Sequence, residues 1–252
     1  MKYKKEQKRF KDDQEYYNDF DFVTNSQLGW FEKSPMYYDY RKRVGAVAPT
    51  QAMIFGDAFH KSVLEPDVFK TKYVMAPNVD SRTKKGKEEW LEFTSSLNPE
   101  QIALTANEYD DIFIMTDIIK SNQMTSNLLS GGEAEKVYVW DDPETMVPCK
   151  GKIDYVREDC IIDLKTTRDC SRNAFLESCI KYGYIRQAAF YCQAAGVKSF
   201  VFIAIEKTSP YIMNVFQIHE QRLADGGNQY VALLERFQQY KEDGTWNRVI
   251  IL

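Results

Sequence analysis

Hydrophobic positions along the 252-residue chain change their period about half-way. Up to about residue 130 they recur at helical intervals, and beyond it alternating or continuous apolar runs predict strands. Thr24-Asn25-Ser26 opens a short capped helix through LGWFEKS. Ser34-Pro35 starts a second, MYYDYRKRV, with proline at the first helical position. Gln51–Leu64 carries Ile54, Phe55, Ala58, Phe59 and Val63 at helical spacing and stops at Glu65-Pro66. A short extended piece, Tyr73–Met75, leads into a basic loop, NVDSRTKKGKEEW. A long helix is predicted over 99–129, ended by Gly131-Gly132. Three strands follow, 135–140, 149–157 and 160–166, the last two joined by a tight turn at Glu158-Asp159. Two helices, Arg172–Tyr182 and Tyr184–Ala195, precede strands 198–206 and 211–219, which Ser209-Pro210 separates. A last helix covers 221–241. The order describes one α/β domain built on a mixed sheet.

Composition narrows the class. The chain is 44% hydrophobic with only 12 Gly and 8 Pro, which allows a large core and argues against a long flexible linker. Its longest apolar run, 200–205, is six residues against the ~18 or more needed to cross a bilayer. The first residues, MKYKKEQKRFKDD, lead into no apolar core, so no secretory signal is expected and a cytoplasmic location is. Five cysteines without a CxxC pair predict reduced, buried thiols rather than disulfides or a cluster.

Charge decides less. Lys plus Arg is 33 and Asp plus Glu is 37, a net −4, whereas proteins that merely coat nucleic acid are usually basic. Local fields matter more than the sum. Two runs are basic: Lys2, Lys4, Lys5, Lys8, Arg9 and Lys11, and then Arg82, Lys84, Lys85 and Lys87.

The segment GKIDYVREDCIIDLKTT, 151–167, carries the candidate chemistry. Asp163 and Lys165 stand two apart on one strand and so share a face, just after the apolar run Cys160-Ile161-Ile162. Charges at the end of a buried strand are costly unless compensated. Asp154 precedes them at hairpin distance, and Gln187 and Tyr191 share one face of the following helix. Two carboxylates converging beside an ammonium suit a hard divalent cation, Mg²⁺ foremost. The tripeptide DLK by itself would be read as a surface ion pair on an edge strand. His60, one of two histidines, lies upstream in GDAFH, with Gly56 one turn earlier leaving room for close approach.

The order GDAFH…GKIDY…IIDLKTT…QAAFY resembles the PD-(D/E)XK nuclease superfamily, and within it the phage RecE-type exonucleases (exodeoxyribonuclease VIII, lambda-exonuclease-like), over about 26–195. The resemblance implies a restriction-endonuclease-like α/β core, a central mixed sheet flanked by helices. It implies a single nuclease domain over 1–252: a mostly helical portion to 130, a catalytic sheet core over 131–220, and a C-terminal helix and tail. Asp154 and Asp163 are then metal ligands, with the backbone carbonyl of Leu164 and with His60. Lys165 is the catalytic lysine, and Gln187 and Tyr191 form the Q-x-x-x-Y helix that positions phosphate and supports it. Asp163 stands where many relatives carry Glu, and the motif admits either acid. Glu133 or Glu135 sits where some relatives supply a further acid. His219 matches no motif position and is expected to be structural.

The activity implied is a 5′→3′ exonuclease on double-stranded DNA ends, dependent on Mg²⁺ with Mn²⁺ as a substitute. It would leave 3′ overhangs for a single-strand annealing protein, and would work as a ring-like trimer or tetramer. Arg82, Lys84 and Lys85, in their loop, are candidates to clamp DNA phosphate. Trp30, Phe59 and Trp90 are candidate wedges for a duplex end, although core packing is the ordinary role of such residues. Rival readings are an endonuclease or end-trimming nuclease of the same superfamily, and a non-catalytic end-binding scaffold. The intact set Asp154, Asp163, Lys165 and Gln187 weighs against the scaffold.

Overall fold

The computed structural model describes residues 10, 13–45, 47–80 and 82–244. The basic residues at positions 2–11 and the tail 245–252 lie outside the described residues. Short helices open the chain: α1 (Asp13–Asn18), α2 (Asn25–Lys33) and α3 (Pro35–Val44). Thr24 caps α2 and Ser34 caps α3, each side chain accepting a backbone N–H of the first turn. Then come α4 (Gln51–Leu64), α5 (Pro66–Lys72) and β1 (Tyr73–Met75).

The next stretch departs from the sequence expectation twice. Lys84 and Lys85 lie not in a loop but in the first turn of a helix, α6 (Lys84–Ser96). Thr83 caps it by accepting from Gly86 N at 3.0 Å. Gly86 lies against the Asp80 carbonyl, which a Cβ there would meet at 2.1 Å, so glycine here serves a close approach. The long helix over 99–129 is in fact three elements: β2 (Ile102–Leu104), α7 (Ala106–Ser121) and α8 (Gln123–Leu128). Thr105 and Glu108 form a capping box that starts α7, and Asn122 caps α8. β2 pairs in parallel with β1 in a sheet of two strands.

The main sheet has five strands in the order β3 (Glu133–Asp141), β4 (Pro148–Val156), β5 (Ile161–Thr167), β6 (Phe200–Glu206) and β7 (Met213–Gln217). β5 and β6 are parallel and the other neighbours antiparallel. Between them run α9 (Arg172–Tyr182) and α10 (Tyr184–Ala195), and α11 (Glu220–Asp243) follows β7. β6 is buried on both faces, as its unbroken apolar run requires. Ile162, Leu164, Val201 and Ile203 pack towards α4 and α7, and Ile161, Phe200 and Phe202 towards α9 and α10. A third cluster joins α2, α3, α10 and α11 through Phe31, Tyr38, Phe190 and Phe237. All five cysteines are free and buried. Among the described residues no helix is long and apolar enough to cross a membrane.

Candidate active site

The sheet opens at Asp154. β4 and β5 pair only at Tyr155↔Ile162 and Val156↔Ile161. One residue further, Asp154 Oδ2 accepts from Leu164 N at 2.9 Å, a side chain in place of the next rung. Side-chain alternation slips here too, because Tyr155 joins the core under α4 while Ile153 joins the core under α10. On the neighbouring strand Glu135 lies in register opposite Asp154 and has a left-handed φ of 51°. Two adjacent irregularities turn polar groups towards one opening, a role bulges commonly serve beside functional sites.

His60 on α4 enters from one side, its Nδ1 3.2 Å from Asp154 Oδ2. From β5, Asp163 is 1% exposed. Its Oδ1 accepts from Gln187 Nε2 on α10 at 3.3 Å. Its Oδ2 faces Lys165 Nζ at 2.5 Å, an ion pair outside hydrogen-bond geometry. The Lys165 ammonium also lies over the ring of Tyr184, 4.7 Å from its centroid. Tyr191, one turn after Gln187, rests its ring on Gly151, where a Cβ would come within 2.9 Å of it. That contact accounts for the glycine that opens GKIDY. At Gly56, by contrast, a Cβ would meet nothing within 4 Å, so no close approach requires glycine there.

Electrostatics set the two acids apart. Burial pushes the Asp163 carboxyl up to about 6, Lys165 opposing and Asp154 adding to the rise. Burial acts on Asp154 in the same sense, but His60, Lys165 and the Leu164 amide outweigh it and hold it at about 2. His60 and Lys165 are both raised: burial works against their charge, and the neighbouring carboxylates outweigh it. Burial lifts the Tyr191 hydroxyl well above its ordinary value.

Ligand atoms of His60, Glu135 and Asp154 lie within 4.8 Å of one another. These three offer two carboxylates and one imidazole, and Asp163, whose Oδ2 faces Lys165, lies outside the group. Such a set fits a divalent cation that prefers oxygen. Glu135 is held meanwhile by two lysines, Lys152 at 2.8 Å and Lys61 at 3.2 Å. Neither lysine stood out in the sequence, although each adjoins a candidate: Lys61 follows His60, and Lys152 precedes Asp154 by two on β4. Glu133 is exposed and pairs with Lys136.

The remaining candidates are placed elsewhere. Arg82 is bound at both ends by Asp80, at 2.9 and 3.0 Å. Lys84 and Lys85 face Glu88 and Glu89 one turn on, at 3.8 and 3.5 Å. Each of these three exposed cations therefore has a carboxylate beside it. Phe59 is fully buried in the core, while Trp90 is 42% exposed on α6. His219 caps α11, its Nδ1 accepting from Gln221 N at 3.2 Å.

A mixed sheet split at an aspartate, with Asp-x-Lys on the next strand and a Gln-bearing helix over it, is the architecture of the PD-(D/E)XK nuclease superfamily. Residues 24–248 match the family described as a PDDEXK-like domain of unknown function (DUF3799), and the chain belongs to that family. Among solved structures it is similar to a proposed exonuclease from Eubacterium rectale, with a TM-score of 0.61 and 13% identity over 90% of this chain and 81% of that one. A phage-related exonuclease from Haemophilus somnus gives 0.36 at 12% identity, over 67% and 91% of the two chains. An alkaline exonuclease from Laribacter hongkongensis gives 0.30 at 14%, over 75% and 97%. The first likeness is one of fold. No curated protein matches the chain.

Proposed function

We propose that this chain is a Mg²⁺-dependent exonuclease that resects double-stranded DNA ends 5′→3′ and leaves 3′ overhangs for a single-strand annealing protein. The observation that carries this reading is the convergence of Asp154, Asp163, Lys165 and Gln187 at the split between β4 and β5. The match over 24–248 supports treating the chain as a single nuclease domain. The resemblance to phage RecE-type exonucleases supports a ring-like oligomer and a site of action in the bacterial cytoplasm.

Asp154, Asp163 and the Leu164 carbonyl would hold the cation, with His60 and Glu135 beside them. When bound, the cation supplies charge stabilisation to the phosphate and to the departing 3′ oxygen. Lys165 stands where an ammonium can orient the attacking water and stabilise charge that develops in the transition state. Gln187 fixes Asp163 by donating to Oδ1, while Oδ2 faces Lys165, which would have to turn aside for Asp163 to reach the cation. Tyr191, packed on Gly151, keeps the face of α10 at a set distance from β4. Arg82, Lys84 and Lys85 are candidates for phosphate contact, weakened by the acids they already pair with.

Digestion of linear duplexes labelled at either the 5′ or the 3′ end tests polarity. The reading expects the 5′ label to appear in mononucleotides early and the 3′ label to remain on a shortening duplex. Early release of the 3′ label reverses the polarity, and internal cuts make the chain an endonuclease.

A further inference from the structure

The hairpin of α2 and α3 is rich in cations. Among the described residues, Lys33, Arg41, Lys42 and Arg43 make no ion pair, in contrast to Arg82, Lys84 and Lys85. The acids nearest in the chain are engaged elsewhere: Glu32 binds Arg186 and accepts from Gln229 at 3.0 Å, and Asp39 accepts from the Tyr240 hydroxyl. Apolar and aromatic groups share the surface. Met36 is 82% exposed and Tyr40 49%. The rings of Tyr37 and Tyr40 stack with centroids 6.3 Å apart and planes at 28°, and Lys33 Nζ lies 4.0 Å from the centroid of Tyr37. Cation, ring and ring thus form a row that ends at an exposed tyrosine.

This hairpin is fixed to the frame of the candidate site. Arg186 on α10 is buried, and its guanidinium reaches Asn25 Oδ1 at 2.9 Å and Glu32, both on α2. The next residue, Gln187, donates to Asp163. One helix therefore carries both the tie to the hairpin and a side chain of the site.

We propose that the exposed face of α3, with Met36, Tyr37, Tyr40 and Arg43, is a track for single-stranded DNA, namely the strand that resection leaves intact. This rests on the exonuclease reading above. Unpaired cations complement the phosphate charge, and an exposed ring offers a stacking face to any base without regard to sequence. A duplex buries its base faces except at the ends, which favours the single strand as the occupant.

The test is binding of a fluorescent oligothymidylate of about 20 nucleotides to the full chain in EDTA, followed by anisotropy across a salt series. Tyr40→Ala is expected to weaken binding roughly 5–100-fold, as loss of one stacked base does, while Tyr40→Phe binds like wild type. Arg43→Ala should reduce the logarithmic salt slope by about 0.7, one single-strand phosphate contact's worth. Unfolding midpoints should stay at the wild-type value, since these side chains are exposed. Unchanged affinity and slope in both variants, failure of the wild type to bind oligothymidylate, or losses seen only with blunt duplex would overturn the proposal. Digestion of linear duplex in Mg²⁺ separates the two readings. A wild type that digests duplex while the α3 variants bind single strands normally sinks the track alone; a wild type that digests nothing sinks the exonuclease.

Discussion

Asp163 and Lys165 carry the sharpest expectations. Removing Asp163 relieves a buried carboxyl of its desolvation cost, and Lys165, already 16% exposed, can turn towards water. Asp163→Ala should therefore fold like the wild type, whereas Lys165→Ala should unfold at a lower midpoint because it leaves the buried Asp163 without its cation. Both should lose roughly 10²–10³-fold or more in turnover on linear duplex with Mg²⁺. Wild-type rates in either variant would remove both residues from the chemistry. Acidity gives a second expectation. A carboxyl pushed up to about 6 holds a proton at pH 5 that a cation must displace, whereas Asp154, at about 2, stays ionised throughout. Metal affinity, followed by calorimetry in the absence of DNA, should fall by about tenfold or more per pH unit below 6, because a ligating His60, also raised, adds a second proton to displace. A flat profile from pH 5 to 7 would contradict Asp163 as a ligand.

Helix packing around the site is as specific as the side chains. Gly226 on α11 lies against α10, where a Cβ would come within 2.5 Å of the Ile185 carbonyl, a backbone atom that cannot turn aside. At Gly227 a Cβ would meet nothing within 4 Å. Gly226→Ala should thus destabilise by about 1–3 kcal/mol through overpacking. Gly227→Ala should stabilise by about 0.5–1 kcal/mol through helix propensity. Equal shifts in the two unfolding midpoints would mean that the α10–α11 contact is not as close as the structure places it. Most elements were legible in the sequence because their period or their caps are strong: β6 by its apolar run, α2 and α3 by Thr24 and Ser34-Pro35. The misreadings came from weighting single residues. Pro99 suggested a helix start, although the capping box Thr105-x-x-Glu108 marks the true one. The basic stretch NVDSRTKKGKEEW reads as a loop, although Thr83 caps a helix within it.

For the molecule as a whole, linear order conveys which residues belong to one motif but not which charges are already spent. Asp154, Asp163, Lys165 and Gln187 could be grouped from spacing because strand alternation and helix periodicity bring them together. The bracing of Glu135 by Lys61 and Lys152 joins three separate elements and has no local pattern. Likewise Arg82, Lys84 and Lys85 look as free in the sequence as Arg41, Lys42 and Arg43, yet each of the first three has a carboxylate beside it, whereas among the described residues the last three have none. A site of carboxylates and one imidazole also sets the metal requirement. Ca²⁺, which tolerates looser coordination, is expected to support DNA binding without turnover; turnover in Ca²⁺ equal to that in Mg²⁺ would argue against a geometrically strict site.

The most direct measurement is digestion of linear and covalently closed circular duplex by the wild type, in Mg²⁺ and in excess EDTA, with Asp163→Asn alongside. The proposed function predicts release of mononucleotides from the linear duplex in Mg²⁺, with no cutting of the closed circle and none in EDTA. It also predicts a loss of at least about 10²-fold in the variant. Cleavage that persists in EDTA, or that is undiminished in Asp163→Asn, would contradict a metal-dependent centre at the split between β4 and β5.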